Sequence, residues 1–323
     1  SQPAAPTSGR ATFGIKPSHE TLKAPIDARA RFDYTATPGA QQPDYVAISN
    51  NALTPLTLNV YASDGLNTES GGFDLLPASG KPVDVGSWIT LKAATVTLKP
   101  GASVVVPFTV KVPAKVAPGD HVGGIVASLR TYGLDKKGNR VAIDTRVGTR
   151  VYLRIQGPLD PRLTIGNLHA KYSGSWWNPF VSGKVTVSYT VANRGNVRLG
   201  AHGSLDLGGW FGSAHSASVP EIAELLPDNT HQEQVVVDHV VRAFHERATV
   251  TAIPFSMPGD TDGRLTSVTA TVHFWAVPWA LLVVILLVPL TAVALLVRGW
   301  RRRRKSSAPP VAGPSRQNSE VKP

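Results

Sequence analysis

The sequence contains no cysteine. That absence removes disulfide frameworks, thiolate-bound zinc, iron–sulfur clusters and thiol nucleophiles together. Catalytic signatures are missing as well: there is no G-x-S-x-G elbow, no S-x-x-K with its companion elements, no P-loop and no G-x-G-x-x-G. The nine histidines are scattered without an H-E-x-x-H pair, and His245-Glu246 lacks a second histidine four residues on, which argues against a zinc site. None of the 22 carboxylates falls in a context that suggests a glycosidase cleft. A non-enzyme without cofactor or metal is the expectation. Amphipathic helices are equally scarce. Residues 220 to 226 and 235 to 245 come nearest to a 3.6-residue apolar stripe, and the second of these reads as a strand.

What is present is a chain of 323 residues, 42% of them apolar, with 29 Gly and 26 Pro. That length suits two domains, and the apolar fraction is enough for a sizeable core. Tyr45 to Ser49, Leu56 to Tyr61, Ser103 to Val112 and Val185 to Val191 alternate or are β-branched, and turn residues punctuate them. Many short strands with Gly, Pro and Asn turns predict an all-β chain of two immunoglobulin-like β-sandwich domains.

One run breaks this pattern. From Val277 to Val297, 21 residues carry no charged side chain; as a helix they would rise ~31 Å, the hydrocarbon thickness of a bilayer. A single C-terminal transmembrane helix is predicted, with Trp275, Trp279 and Trp300 as headgroup-level anchors. Pro278 fits its first turn, and Pro289 lies inside it. Arg298, Arg301, Arg302, Arg303, Arg304 and Lys305 follow directly, which makes that side cytoplasmic and the preceding ectodomain extracellular. The net charge of +11 then divides unevenly. From Arg298 onward there are eight Lys/Arg and one Glu, a net of +7, which leaves +4 for everything before it. The basic excess is a topology signal and a contact for anionic lipid; no nucleic-acid partner is implied. Export calls for a signal peptide removed before Ser1.

A weak internal repeat supports two sandwiches. In the first half a strand ends at Ser49-Asn50-Asn51 and Leu98-Lys-Pro-Gly comes later; in the second, a strand ends at Ala192-Asn193-Arg194-Gly195-Asn196 and Leu226-Pro-Asp-Asn comes later. The asparagines are read as supplying positive-φ turns, and the Pro-Gly and Pro-Asp steps as tight turns entering a strand. The first unit is longer, by an insertion at about 71–94. The expected organisation is a flexible lead-in at 1–11, a first sandwich at 12–157, a second at 158–274, the membrane helix at 275–299 and a basic, disordered tail at 300–323.

Phe13-Gly-Ile-Lys-Pro, Asp44 to Asn51, Val96 to Ala102 and above all Val112 to Ala127, with its Pro118-Gly-Asp-His-Val-Gly-Gly-Ile core, follow one another in an order that resembles the WxL-interacting proteins of Gram-positive bacteria. The layout of two immunoglobulin-like domains, one membrane helix and a short basic tail is similar too. The resemblance implies a cell-surface protein whose first domain associates with peptidoglycan and whose second binds a wall-associated partner protein of the WxL type.

His121, beside Asp120, reads either as a ligand or acid/base group or, more simply, as part of a turn into a buried strand, hydrogen-bonded locally while the glycines permit close backbone approach. Trp176, Trp177 and Phe180, with Trp210, form the candidate binding surface, since neighbouring residues on a strand point to opposite sides and cannot all be buried. The alternative places one ring in the second core and the other over a domain junction. The function expected is a membrane-anchored extracellular binding or scaffold protein engaging peptidoglycan or a wall-associated protein, with edge-strand addition as a mode. An accessory or chaperone-like subunit of a membrane complex is the alternative, and a cell-wall-modifying enzyme ranks third.

Overall fold

The computed structural model of the chain describes residues 12–22, 27–175, 178, 182–209, 214–242, 244–306 and 313. The first sandwich closes a sheet of β1 (Phe13–Ser18), β3 (Gln41–Asn50), β8 (Ser103–Lys111) and β6 (Ile89–Leu91) over a second sheet. That second sheet runs β2 (Phe32–Ala36), β10 (Arg140–Ile155), β9 (Gly119–Leu134), β4 (Leu56–Asn67) and β5 (Phe73–Leu75), with β7 (Thr95–Leu98) also paired to β4. Pairing is antiparallel except for β2, which lies parallel to β10. Phe13, Phe32, Ile48, Leu58, Phe108, Ile125 and Leu153 fill the space between the sheets.

The second sandwich is made of β11 (Leu163–Ser173), β12 (Gly183–Asn193) and β15 (Thr230–Val240) facing β14 (His215–Leu225), β13 (Leu199–Gly209), β16 (Phe244–Ser256) and β17 (Val268–Ala276). Along β12, Val185, Val187, Tyr189 and Val191 are buried, while Thr186, Ser188 and Thr190 between them are half-buried. This period of two is what a strand needs to present one face to a core. Residues 220 to 225 belong to β14 and 235 to 240 to β15.

The internal repeat survives in the structure, with a different role for its asparagines. Asn50 and Asn193 are not in the left-handed region; both side chains are fully buried. Asn50 Nδ2 donates to the carbonyls of Thr54 and Leu98 (2.9 and 3.0 Å), and Asn193 Nδ2 donates to those of Val197 and Leu225 (2.7 and 2.9 Å). Their carbonyl oxygens in turn accept from Gly101 and Asp228, the positive-φ residues of the two proline turns. Each asparagine therefore clips the end of one strand to the turn that starts its neighbour. A buried amide at such a point must be fully bonded, which is why the residue type recurs.

The insertion of the first unit holds β5, the single turn α1 (Val85–Trp88) and β6. The buried carboxylate of Asp64 fixes α1 by accepting from the backbone N–H groups of Val83, Asp84 and Gly86 (2.6, 3.0 and 2.7 Å).

The C-terminal helix α2 runs from Trp279 to Ser306 with Pro289 inside it, and Pro278 precedes its first turn, its carbonyl accepting from Leu282 N–H. It starts later and ends later than the apolar run suggests. Trp275 lies in β17, where its strand pairing with β16 wins. Beyond Gly299 the helix continues through the basic cluster, because Arg and Lys are good helix formers and cations suit a helix C-terminus.

Candidate functional site at the seam between the sandwiches

The two sandwiches meet along the segment that leads into β9. Gly119 has φ +116°, and a Cβ there would collide with the carbonyl oxygen of Asn196. Glycine thus lets the first sandwich bring Asp120 N–H to that carbonyl at 2.7 Å, while Asn196 Nδ2 donates to Pro118 O at 2.9 Å. On the other flank Asn67 reaches from β4 to the turn after β14. Its Nδ2 donates to Glu224 O (2.9 Å) and its Oδ1 accepts from Leu226 N–H (2.8 Å). Val122, Tyr152 and Leu226 make a small apolar plug between them.

Two arginines cross this seam in opposite directions. Arg154, on β10, holds Asp120 of its own sandwich through two hydrogen bonds of 2.6 and 2.7 Å, and also pairs with Asp262 of the second sandwich at 2.7 Å. Arg198, only 4% exposed and just ahead of β13, pairs with Asp260 (2.9 Å) and Glu224 (3.4 Å), and lies 3.9 Å from Asp120 and from Asp33 of the first sandwich. Its guanidinium also covers the Tyr152 ring at 3.9 Å, and its backbone N–H donates to Asp120 (2.9 Å). Tyr152 Oη donates to Glu224 (2.9 Å). The hydrogen bonds from Arg154 to Asp120 raise the arginine pKa further, and burial together with Glu224 pushes the Tyr152 phenol up. Arg154 therefore stays charged and Tyr152 stays neutral at neutral pH. Ion pairs this deep stabilise little in net terms, but removing one partner strands the rest, at about 3–5 kcal/mol.

His121 borders the seam in a cleft of ≈ 230 Å³ that Asp84, Asp120, Asn196 and Asp228 also line. Its Nδ1 meets Asp84 Oδ1 at 2.8 Å and its Nε2 meets Ala117 O at 3.0 Å, with the Trp88 ring 4.9 Å away. Burial disfavours the charged ring, but two acceptors, one of them a carboxylate, outweigh it, and the His121 pKa is raised. Both ring nitrogens are engaged, so neither is left to take a proton from a substrate. The Asp84–His121 pair is built as a brace for the Ala117–Asp120 segment, and close approach by Gly123 and Gly124, to Ser63 and to Leu75, packs the following strand. Among the described residues no group of three or more His, Asp or Glu is placed to hold a metal ion.

Trp176, Trp177, Phe180 and Trp210 lie outside the described residues. The described strand ends that flank them, Ser173 and Gly183 on β11 and β12 and Leu207 and His215 on β13 and β14, lie towards the end of the second sandwich from which α2 departs. Trp275, Trp279 and Trp300 are exposed, as are Arg298, Arg301 and Arg302 on α2; Arg303, Arg304 and Lys305 continue the same helix.

Sequence reasoning missed a cluster of exposed apolar residues on the first sandwich. Among the described residues β9 beyond Ser128 pairs with β10 alone, so residues 129–134 and 140–145 form a two-stranded ribbon with both outer edges open. Tyr132, Leu134, Val141 and Ile143 stand exposed on it, and Arg140 covers the Tyr132 ring at 4.1 Å. Asp135 organises the tip by accepting from the N–H groups of Lys137 and Asn139, both at 2.8 Å. The available signal was two long alternating runs about an Asp-Lys-Lys-Gly-Asn turn.

No protein-family model matches the chain, and no curated protein does. Among solved structures, a chaperone–tip adhesin complex of CFA/I fimbriae biogenesis is similar with a TM-score of 0.39 and 11% identity, over 80% of this chain and 98% of that one. The CupB2 chaperone of Pseudomonas aeruginosa gives 0.32 and 13%, over 78% and 100%. The CsuC–CsuE chaperone–adhesion subunit complex of Acinetobacter baumannii gives 0.35 and 11%, over 80% and 98%.

Proposed function

We propose that the chain is a membrane-tethered binding module of the cell surface, and that its first sandwich engages an extended segment of a partner protein along the β9–β10 ribbon. The observation that carries this reading is the ribbon itself. Four large apolar side chains face solvent on a stretch whose outer backbone groups have no strand neighbour among the described residues. Such an edge invites strand addition, in which the backbone supplies affinity and alternate side chains supply selectivity. The locked seam supports it too, because it gives the ribbon a fixed base. The long apolar helix and the basic residues after it support a single-pass anchor with the sandwiches outside and the tail in the cytoplasm. The resemblance to WxL-interacting proteins suggests where the partner protein resides: in the wall, beside the peptidoglycan, as a WxL-type protein.

A photo-crosslinking residue at Tyr132 or Ile143 of the full chain in intact cells should yield a discrete protein adduct, while one at Thr269 on the far sandwich should not. Equal adducts at both sites, or none at the ribbon, would overturn the docking role. Orientation is read separately. A Ser218→Cys variant should react with an impermeant maleimide in whole cells and Ser307→Cys should not; the reverse labelling rejects the topology.

A further inference from the structure

Strand order fixes which end of the second sandwich faces the helix. Ala276, the last residue of β17, pairs with Phe244 at the start of β16; Val240, the last of β15, pairs with Gly183 at the start of β12. Val241, Arg242, Lys184, His245 and Trp275 therefore share the end from which α2 departs, and the opposite end, with Leu163, Leu199 and Thr230, meets the first sandwich. Only Val277 and Pro278 separate β17 from α2. That tether spans at most about 11 Å between the Cα atoms of Ala276 and Trp279. Proline and the residue before it are also conformationally restricted, so the link is stiff as well as short.

The helix gives no slack. From Trp279 to Val297 its apolar part would span ~28 Å, already about the hydrocarbon thickness, and Arg298 bounds the other side. Fully extended, the tether would just clear a headgroup layer ~5–7 Å deep, but Val277 O accepts from Trp279 N–H at 3.0 Å, a turn that shortens the link and keeps the sandwich against that layer. The surface presented there suits that layer. Trp275 is 69% exposed and Val241 54%, and the His245 ring stands edge-on to Trp275 at 5.1 Å and stacks on His273 at 4.9 Å. Lys184 and Arg247 are exposed and Arg242 is half-buried, against the exposed Asp238; Glu246 is buried.

We infer that the helix-proximal end of the second sandwich, with Val241 and Trp275 as apolar contacts and Lys184, Arg242 and Arg247 as cationic ones, is a binding surface for the headgroups of anionic phospholipid, seated in the bilayer interface. The inference rests on the membrane-anchor reading above. Its consequence is that the module stands on the membrane in one orientation, and the ribbon of the first sandwich is held away from the bilayer.

The full chain in nanodiscs tests it, with single spin labels at Val241→Cys, Thr269→Cys and Val288→Cys, which the absence of native cysteine makes clean. The label at 288 should be reached by oxygen and shielded from aqueous nickel chelate. The one at 269 should be fully open to the chelate, and the one at 241 should be several-fold less open than 269. In discs of phosphatidylcholine with phosphatidylglycerol the protection at 241 should deepen relative to phosphatidylcholine alone, and a Lys184→Gln, Arg242→Gln, Arg247→Gln variant should lose that increment while its label at 269 is unchanged. If 288 is shielded but 241 is as open as 269, the headgroup surface is rejected and the span stands. If 288 is itself open, the span fails and the surface with it. Protection at 241 that is the same in both lipid mixtures rejects the anionic specificity.

Discussion

Strand β9 joins two unlike regions. At its start Asp120 is buried in the seam, hydrogen-bonded to Arg154 and to the backbone of Arg198. At its end Leu134 is 75% exposed on the ribbon, where β9 pairs with β10 alone. The first region places charge where water is excluded, the second places hydrocarbon where water is present. Each departs from the ordinary distribution, and they differ in whether the compensation is inside the chain. Asp120 finds its partners in the fold, so the seam is explained by structure alone. Leu134, Tyr132, Val141 and Ile143 stay open to solvent even with Arg140 over the Tyr132 ring, which is why the ribbon and not the seam is read as the surface meant for another molecule.

Substitutions can break this contrast. Arg154→Ala should be the most damaging, since Asp120 and Asp262 would be left buried without their cation; a loss of about 3–5 kcal/mol is expected in urea unfolding of the full chain. If Arg154→Ala costs under about 1 kcal/mol, the seam is a solvated surface and the contrast dissolves. Next come the asparagine clips. Asn50→Ala and Asn193→Ala should each cost about 2–3 kcal/mol, as two buried carbonyls lose their donor. Near-equal losses would confirm that the two sandwiches share one device, and a loss at only one of them would end that equivalence.

The brace at His121 should show through pH. Its folded-state pKa is raised, so its contribution is complete below the ordinary imidazole value and is lost as pH rises through the raised one. The urea midpoint of the full chain should fall over that window, and His121→Gln should flatten the profile at an overall cost of about 1 kcal/mol. A profile unchanged by the substitution would assign the pH dependence elsewhere. The smallest effect on stability is expected at the ribbon: Leu134→Ser with Val141→Ser should shift unfolding by no more than about 0.5 kcal/mol while abolishing the adduct formed from the crosslinking residue at Ile143. Unfolding of that variant would show that the ribbon belongs to the core.

Much of this fold was legible. Period-two runs at Val185 to Val191 and Leu56 to Tyr61 announce strands because a core-facing strand alternates, and the two proline turns mark the same point in each sandwich. The clips were visible as a repeat, but the reason given was wrong, since a positive-φ asparagine and a buried, triply bonded one look alike in sequence. Pro118-Gly-Asp-His was singled out as a turn with a locally bonded histidine, and the His121 bond to Ala117 O fits that; its bond to Asp84, 37 residues away, and the reach of Asp120 into the second sandwich did not show. Asp260 and Asp262 lie more than a hundred residues from Arg154, and nothing in their local sequence points to it.

By itself, the sequence determined that the chain is made of strands closed into sandwiches and ends in one apolar helix, because these follow from periodicity and composition within a few consecutive residues. Only the tertiary structure decided that Arg154 and Arg198 exchange carboxylates across a seam, that β9 and β10 outrun their sheet, and which end of the second sandwich faces the helix. Those depend on register and on which strands become neighbours, and both are settled by packing the whole chain at once.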